Sequence, residues 1–172
     1  MGHPVKASCP ITDDMRKLPK GSEAERRIES FLEHNLELIE PGMVLIRRQY
    51  PLKMIAPRAV GKIDLFCQGE DGADVAVELV AAPINAHDLA QCMVYYDVLM
   101  RRATSYSKPT PRTYLIGPSC TRNFHHAINA LGGSDRINLA IKLFTPRPGV
   151  TMTDSEWKVD LHTPTTHLTI KL

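Results

Sequence analysis

Apolar residues in the first half of this chain follow a helical period and then the period of β-strands. A helix is predicted from Ser22 to a stop at Pro41-Gly42, because apolar residues recur there every three or four positions. Alternation of apolar and polar residues then predicts three strands. They span 43–50, 62–67 and 74–80. The last two flank Gly69-Glu70-Asp71-Gly72, whose Asp-Gly ending favours a tight hairpin, so an antiparallel meander is expected.

The apolar residues in the second half of the chain again follow helical and strand periods in turn. A helix is predicted after Pro83, with Asn85 as its cap. Its apolar face would comprise Leu89, Met93, Tyr96 and Met100. A strand, a helix and another strand follow, at 113–117, 121–131 and 137–144. Alternation around 157–161 and 168–172 predicts two extra strands packed at an edge. The order helix, three strands, helix, strand, helix, strand indicates an α/β (α+β) fold.

The length of 172 residues suits one domain. Residues 1–20 mix three prolines with charges and lack an apolar period, which is typical of a flexible N-terminal arm. The domain is expected to span 21–146. Residues 147–172 would form a C-terminal β extension packed on it.

Charge and cysteine content narrow the class of protein. The net charge is +2, so contact with nucleic acid would have to come from a local patch. The four cysteines lie far apart without a Cys-x-x-Cys pair, which argues against a zinc ribbon or a disulfide framework. Because no signal peptide or long apolar stretch is visible, the chain is expected to be soluble and cytoplasmic, with no membrane partner.

Two acidic residues interrupt the apolar second and third strands. Paired by the hairpin, Asp64 and Glu78 would lie on neighbouring strands about 4.8 Å apart. Carboxylates that close repel each other unless a cation lies between them, and Mg²⁺ or Mn²⁺ prefers such oxygen ligands. The backbone carbonyl of Leu79 could be a further ligand. A strand-end Asp64 and a solvent-facing Glu78 explain the two positions equally well, but their apolar flanks favour a metal site.

A set of short motifs occurs in order between Ser22 and Phe144. They are Glu25-x-x-Ile28-x-x-Phe31-Leu32, Leu38-Ile39-Glu40-Pro41-Gly42, Gly61-x-Ile63-Asp64-Leu65, Val77-Glu78, Gln91-x-x-x-Tyr95 and Tyr114-Leu115-Ile116-Gly117-Pro118-Ser119. The ordered set resembles the PD-(D/E)XK nuclease superfamily and, more narrowly, the nuclease domain of NucS/EndoMS-type endonucleases. The resemblance implies a restriction-endonuclease-like core, a mixed central sheet flanked by helices. It also implies that Asp64 and Glu78 bind Mg²⁺ or Mn²⁺.

The resemblance gives roles to two further residues, and each has a structural alternative. Glu25 on the first helix would reach the metal, but Ser22 and Glu25 also have the spacing of a capping box. Gln91 would help to hold the attacking water or the DNA backbone. Gln91 and Tyr95 also fit an ordinary polar flank offset from the apolar face of their helix, and Tyr96 fits the core better.

One position departs from the superfamily pattern. A lysine usually follows the metal-binding glutamate by two residues and positions the attacking water, but Val80 stands there and cannot do so. Lys62 shares a strand face with Asp64, about 6–7 Å along the strand, so its flexible side chain could replace the missing lysine. Alternatively, Lys62 is a solvated strand-end residue and the domain cuts poorly or not at all.

Basic residues near the first strand and after the second helix are candidates for contact with DNA phosphates. They are Arg47, Arg48, Lys53, Arg101, Arg102, Lys108 and Arg112. Clusters of this kind also occur as ordinary solvated surface. No base-reading motif accompanies them, so no sequence specificity is expected.

Three hypotheses follow. The first is a Mg²⁺-dependent DNA endonuclease or nuclease subunit acting on duplex or branched DNA. Such a protein would be associated with the nucleoid and would work as a homodimer or within a larger nucleic-acid-processing complex. The second is a catalytically inactive nuclease-fold module that binds nucleic acid or a protein partner. The third is an unrelated α/β interaction domain whose acids are structural.

Overall fold

The computed structural model describes residues 22–59, 61–131, 138–146, 159–162 and 170–171. The helices in these ranges are α1 (Ser22–Glu33), α2 (Ala86–Tyr106) and α3 (Arg122–Leu131). The strands are β1 (Val44–Pro51), β2 (Lys62–Gln68), β3 (Asp74–Leu79), β4 (Arg112–Gly117), β5 (Asn138–Pro146), β6 (Val159–His162) and β7 (Ile170–Lys171). Short 3₁₀ turns span Leu36–Leu38 and Leu52–Met54. The predicted arm at 1–20 lies outside the described residues.

All seven strands form one mixed sheet. The order is β1-β2-β3-β4-β5-β6, and β7 also pairs with β5. The first three strands are antiparallel, whereas β3, β4 and β5 run parallel. Strands β6 and β7 pair antiparallel with opposite ends of β5. The predicted class, the element order and the extra C-terminal strands are thereby confirmed.

Helices cover both faces of the sheet. On one face, Ile28 and Leu32 of α1 pack against Leu65 of β2 and Val77 of β3. On the other face, α2 packs over β2 and β3 and also contacts α3. The sheet is therefore buried between two layers, and polar side chains within it need partners. No helix among the described residues is long and apolar enough to cross a membrane.

The first helix is shorter than its apolar period predicts. Helix α1 ends at Glu33, although the period continues to Ile39. The side-chain amide of Asn35 donates to the carbonyl of Phe31, at 2.7 Å. This bond takes the place of a helical one and ends the helix. Leu36 and Ile39 still reach the core through the 3₁₀ turn.

The buried face of α2 also differs from the prediction. It comprises Leu89, Cys92, Tyr95, Val98, Leu99 and Ala103, whereas Met93 and Tyr96 are only half-buried. The expectation that Tyr96 fits the core better than Tyr95 is wrong, because Tyr95 is 1% exposed. Its ring packs against the sheet, and polar partners at the sheet surface satisfy its hydroxyl group. The predicted cap is present, since Asn85 and Asp88 form a complete capping box.

Candidate metal centre

The hairpin between β2 and β3 brings the carboxyl groups of Asp64 and Glu78 together. The antiparallel pairs end at Leu65 and Val77, and the same register would place Asp64 opposite Glu78 one residue later. Beyond this point a side chain continues the hydrogen bonding between the two strands. Oδ2 of Asp64 accepts a hydrogen bond of 2.9 Å from the backbone N–H of Leu79. Asp64 also lies close enough to Glu78 for its negative charge to act on that carboxyl group.

Both carboxyl groups hold a proton more tightly than usual. Burial raises the pKa of Asp64 to about 6, and hydrogen bonds from the Leu79 amide and from Gln49 oppose that shift. Burial and the negative charge of Asp64 raise the pKa of Glu78 to about 9. At neutral pH the metal-free pair therefore retains a proton. A divalent cation bound between the two groups would displace it.

Tyr95 and Gln91 of α2 complete one side of this pair. The Tyr95 hydroxyl lies 3.0 Å from Oε2 of Glu78 and donates to the Lys62 carbonyl, at 2.6 Å. Gln91 donates its side-chain amide to the same hydroxyl. Gln91 thus contacts the hydroxyl that supports Glu78, and its predicted spacing from Tyr95 has a structural purpose.

Glu25, Lys62 and Val80 occupy different surroundings. Glu25 lines a cavity of about 360 Å³ that Asp64 also lines, and its charge contributes to the raised pKa of Asp64. The side chain of Ser22, its predicted capping partner, lies outside the described side chains. Lys62 has an exposed side chain at the start of β2. Val80 is 8% exposed and packs in the apolar cluster of Ile84, so the usual lysine position is part of the core.

Two residues that the sequence did not single out also face the site. Gln49 of β1 donates its side-chain amide to Oδ1 of Asp64, at 2.9 Å. The same nitrogen lies 3.2 and 3.3 Å from the two carboxylate oxygens of Glu29 on α1. Glu29 is only 4% exposed. Its signal in the sequence was its spacing of four residues from Glu25, which places both on one side of a helix.

Known proteins share this architecture. No family model matches the chain. The endonucleases NucS of Mycolicibacterium smegmatis, Rhodococcus jostii and Streptomyces griseus are each 36% identical to it over 55 residues, which is 32% of this chain and 22% of each relative. A repair endonuclease from Pyrococcus abyssi has a TM-score of 0.54 and 25% identity over 75% of this chain and 49% of its own. This chain has a NucS-like nuclease fold.

A solved EndoMS–dsDNA complex also has the NucS-like fold, with a TM-score of 0.51 and 24% identity over 75% of this chain and 47% of its own. The chain therefore spans about a fifth of the curated relatives and about half of the solved chains. The fold agrees with the first two hypotheses and removes the third, which required an unrelated domain.

Several of the basic residues predicted to contact DNA form ion pairs with acidic residues of this chain. Arg48 pairs with Glu29 and Glu33, at 3.1 and 2.7 Å. Arg102 and Lys108 both approach the fully buried Asp74, at 2.9 and 2.6 Å, although the Arg102 contact lacks hydrogen-bond alignment.

Of the other basic residues in the predicted set, Arg112 is also held in ion pairs, whereas Arg47, Lys53 and Arg101 are more open. Arg112 bridges Glu40 and Asp71. Arg47 and Lys53 are exposed. Arg101 is exposed and pairs with Asp97 across one helical turn, an interaction worth little in water. Arg47, Lys53 and Arg101 are thus the exposed members of the predicted set.

The donor atoms suit a hard divalent cation. Carboxylate oxygens are the ligands that Mg²⁺ and Mn²⁺ prefer, and Mg²⁺ usually keeps several waters beside one or two carboxylates. Across the described ranges, no three His, Cys, Asp or Glu side chains are arranged to hold an ion on their own. An ion held by Asp64 and Glu78 would therefore keep open positions for water and for substrate oxygens.

Proposed function

We propose that this chain is a nuclease domain that hydrolyses phosphodiester bonds in DNA with the help of Mg²⁺ or Mn²⁺. The placement of Asp64 and Glu78 at the same end of the β2–β3 hairpin carries the proposal. The Leu79 amide holds Asp64 there, and the Tyr95 hydroxyl lies 3.0 Å from Glu78. Two neighbouring carboxyl groups, one buried and one half-buried, repel each other when both are ionised, and a cation bound between them would relieve that repulsion. The NucS-like fold supports the same conclusion.

Each residue of the site has a proposed role. Asp64 and Glu78 hold the ion, with the Leu79 carbonyl as a further ligand, and Glu25, which lines the same cavity as Asp64, reaches it through water. A bound divalent ion lowers the pKa of a water molecule and stabilises charge on the phosphate. The Leu79 amide orients Asp64, and Gln91 supports Glu78 through the hydroxyl of Tyr95. Lys62, two residues before Asp64 in β2, orients the attacking water in place of the lysine that Val80 replaces.

The proposed partner is DNA, duplex or branched, because one protein of similar fold is EndoMS in complex with dsDNA. The exposed basic side chains of Arg47, Lys53 and Arg101 would contact its phosphates. We propose that the domain works as a homodimer or within a larger complex, in the cytoplasm at the nucleoid.

A cleavage assay tests this proposal. The purified chain is incubated with supercoiled, linear and single-stranded DNA in Mg²⁺, Mn²⁺ or EDTA. Cleavage is expected with a divalent ion and not in EDTA. Asp64→Asn and Glu78→Gln should each abolish it, whereas Glu37→Gln, at an exposed position of the 3₁₀ turn, should not change it. Cleavage that survives in both site variants would disprove the assignment.

The position of Val80 favours one alternative, a nuclease-fold module that binds DNA or a protein without cutting. Val80 lies in the core and can neither donate to a water nor carry charge. This alternative predicts DNA binding without cleavage in any divalent ion. It also predicts that Lys62→Ala has no effect, whereas an active enzyme should lose activity on that change.

A further inference from the structure

Arg48 and Gln49 are consecutive residues of β1, yet both side chains contact Glu29. In a regular strand, consecutive side chains point to opposite faces of the sheet. Gln49 departs from that geometry, because its φ angle is +46°. A left-handed conformation is strained at a residue other than glycine, and such strain persists only where surrounding contacts enforce it.

The strained backbone places the Gln49 amide between two acids. Gln49 lies opposite Asp64, since the flanking pairs are Arg48 with Leu65 and Tyr50 with Ile63. The amide nitrogen has two hydrogens, and its acceptors are Oδ1 of Asp64 and the carboxylate of Glu29. Both amide hydrogens of Gln49 are thus donated to carboxylates.

The Glu29 end of this bridge is fixed. Glu29 is nearly buried in α1, and Nε of Arg48 donates to its Oε1 at 3.1 Å. Arg48 is held in turn by Glu33, at 2.7 Å. Gln49 therefore extends from the Arg48–Glu29 ion pair towards Asp64. Glu29, Arg48, Gln49 and Asp64 all line the cavity of about 360 Å³.

We propose that Gln49 is a positioning residue of the metal centre, anchored by Glu29 and Arg48, that orients the carboxylate of Asp64 for a divalent cation. This inference rests on the proposed function. Carboxylates that bind metal are themselves held by hydrogen bonds, and loss of such a partner costs about 10- to 100-fold in metal affinity. Glu29, unlike the predicted Glu25, acts on the site through Gln49.

Binding of Mn²⁺ to the full chain tests the inference. Electron paramagnetic resonance measures the free ion and records the spectrum of the bound ion, which reports the arrangement of its ligands. Gln49→Leu and Gln49→Gly both remove the amide, and Gln49→Gly also removes the backbone strain, so it should fold even where Gln49→Leu does not. Gln68→Leu is the matched control, because Gln68 is an exposed residue that bonds only to its own hairpin in the described contacts.

Both Gln49 variants should bind Mn²⁺ about 10- to 100-fold more weakly than the parent chain, with an altered spectrum of the bound ion, while Gln68→Leu matches the parent. Unchanged affinity and spectrum in Gln49→Gly would overturn the positioning role and leave the nuclease proposal standing. An equal loss in Gln68→Leu would also overturn it, as a general effect of the substitution. Failure of the parent chain itself to bind Mn²⁺ would overturn both.

Discussion

The hydroxyl of Tyr95 lies 3.0 Å from the carboxylate of Glu78. Because the same hydroxyl donates to the Lys62 carbonyl, helix α2 supports both strands that carry the acids. The side chain of Tyr95 thus links α2 to the metal centre. Burial of its ring against the sheet fixes its position.

Replacement of Tyr95 by phenylalanine should keep the packing and remove the hydroxyl. The Lys62 carbonyl and Glu78 would each lose a buried partner, so the free energy of unfolding should fall by about 1–3 kcal/mol. The nearby Tyr95 hydroxyl lowers the pKa of Glu78, and its loss should move Mn²⁺ binding to higher pH. Urea denaturation and Mn²⁺ titrations between pH 6 and 9 measure both effects; an unchanged pH profile would contradict the contact.

The stability of the metal-free chain should depend on pH through Glu78. Its pKa is about 9 in the folded protein against an ordinary 4.5, so between these values the folded state holds a proton that the unfolded state has lost. The free energy of unfolding should therefore fall as pH rises from about 4.5 to 9, by at most about 1.4 kcal/mol per pH unit.

Urea denaturation in EDTA across this range, on the parent chain and on Glu78→Gln, isolates that contribution. The variant cannot ionise there and should lose the Glu78 part of the slope. Saturating Mn²⁺ should flatten the slope of the parent chain, because the ion holds both carboxylates ionised. Identical slopes for parent and variant in EDTA would show that Glu78 has no raised pKa.

Lysine at position 80 should increase DNA cleavage. The residue would stand two positions after Glu78, where the superfamily pattern has its lysine, but in a buried apolar cluster. Val80→Lys should therefore lower the free energy of unfolding by several kcal/mol and raise the cleavage rate. Val80→Met, uncharged and of similar length, is the control. A folded Val80→Lys variant no faster than Val80→Met would show that the missing lysine does not limit the reaction.

Arg101 and Arg102 are adjacent in α2 but should behave differently on substitution. Arg101 is exposed, so Arg101→Ala should weaken DNA binding and reduce the slope of log affinity against log salt by about 0.9, without loss of stability. Arg102→Ala takes a partner from the buried carboxylate of Asp74 and should cost about 1–3 kcal/mol of stability. Fluorescence anisotropy at several salt concentrations and urea denaturation separate the two. Equal salt slopes for Arg101→Ala and the parent would remove Arg101 from the DNA surface.

Local patterns were sufficient to predict most of the elements and the central pair of acids. The Asp71-Gly72 turn defines a register that carries Asp64 and Glu78 to the same end of a hairpin, so their meeting could be read from alternation and turn chemistry. The cap at Asn85 followed in the same way. These features depend on residues near one another in sequence, for which spacing is a reliable guide.

Contacts between segments far apart in the chain leave no such spacing pattern in the sequence. The period of α2 predicted an apolar face that includes Tyr96 and leaves Tyr95 beside it. Only packing against the sheet decides that Tyr95 enters the core. The partners of Arg48, Arg102 and Lys108 are acids on other elements, so the sequence could not distinguish these structural ion pairs from an open basic patch.

The sequence by itself determined the order of elements, the hairpin and the pair Asp64 and Glu78, because backbone preferences and side-chain periods act over a few residues. Only the tertiary structure decided that Gln49 turns through a strained φ angle to join Glu29 and Asp64. That arrangement requires β1, β2 and α1 to be packed together, and its cost is met by contacts that exist only after folding.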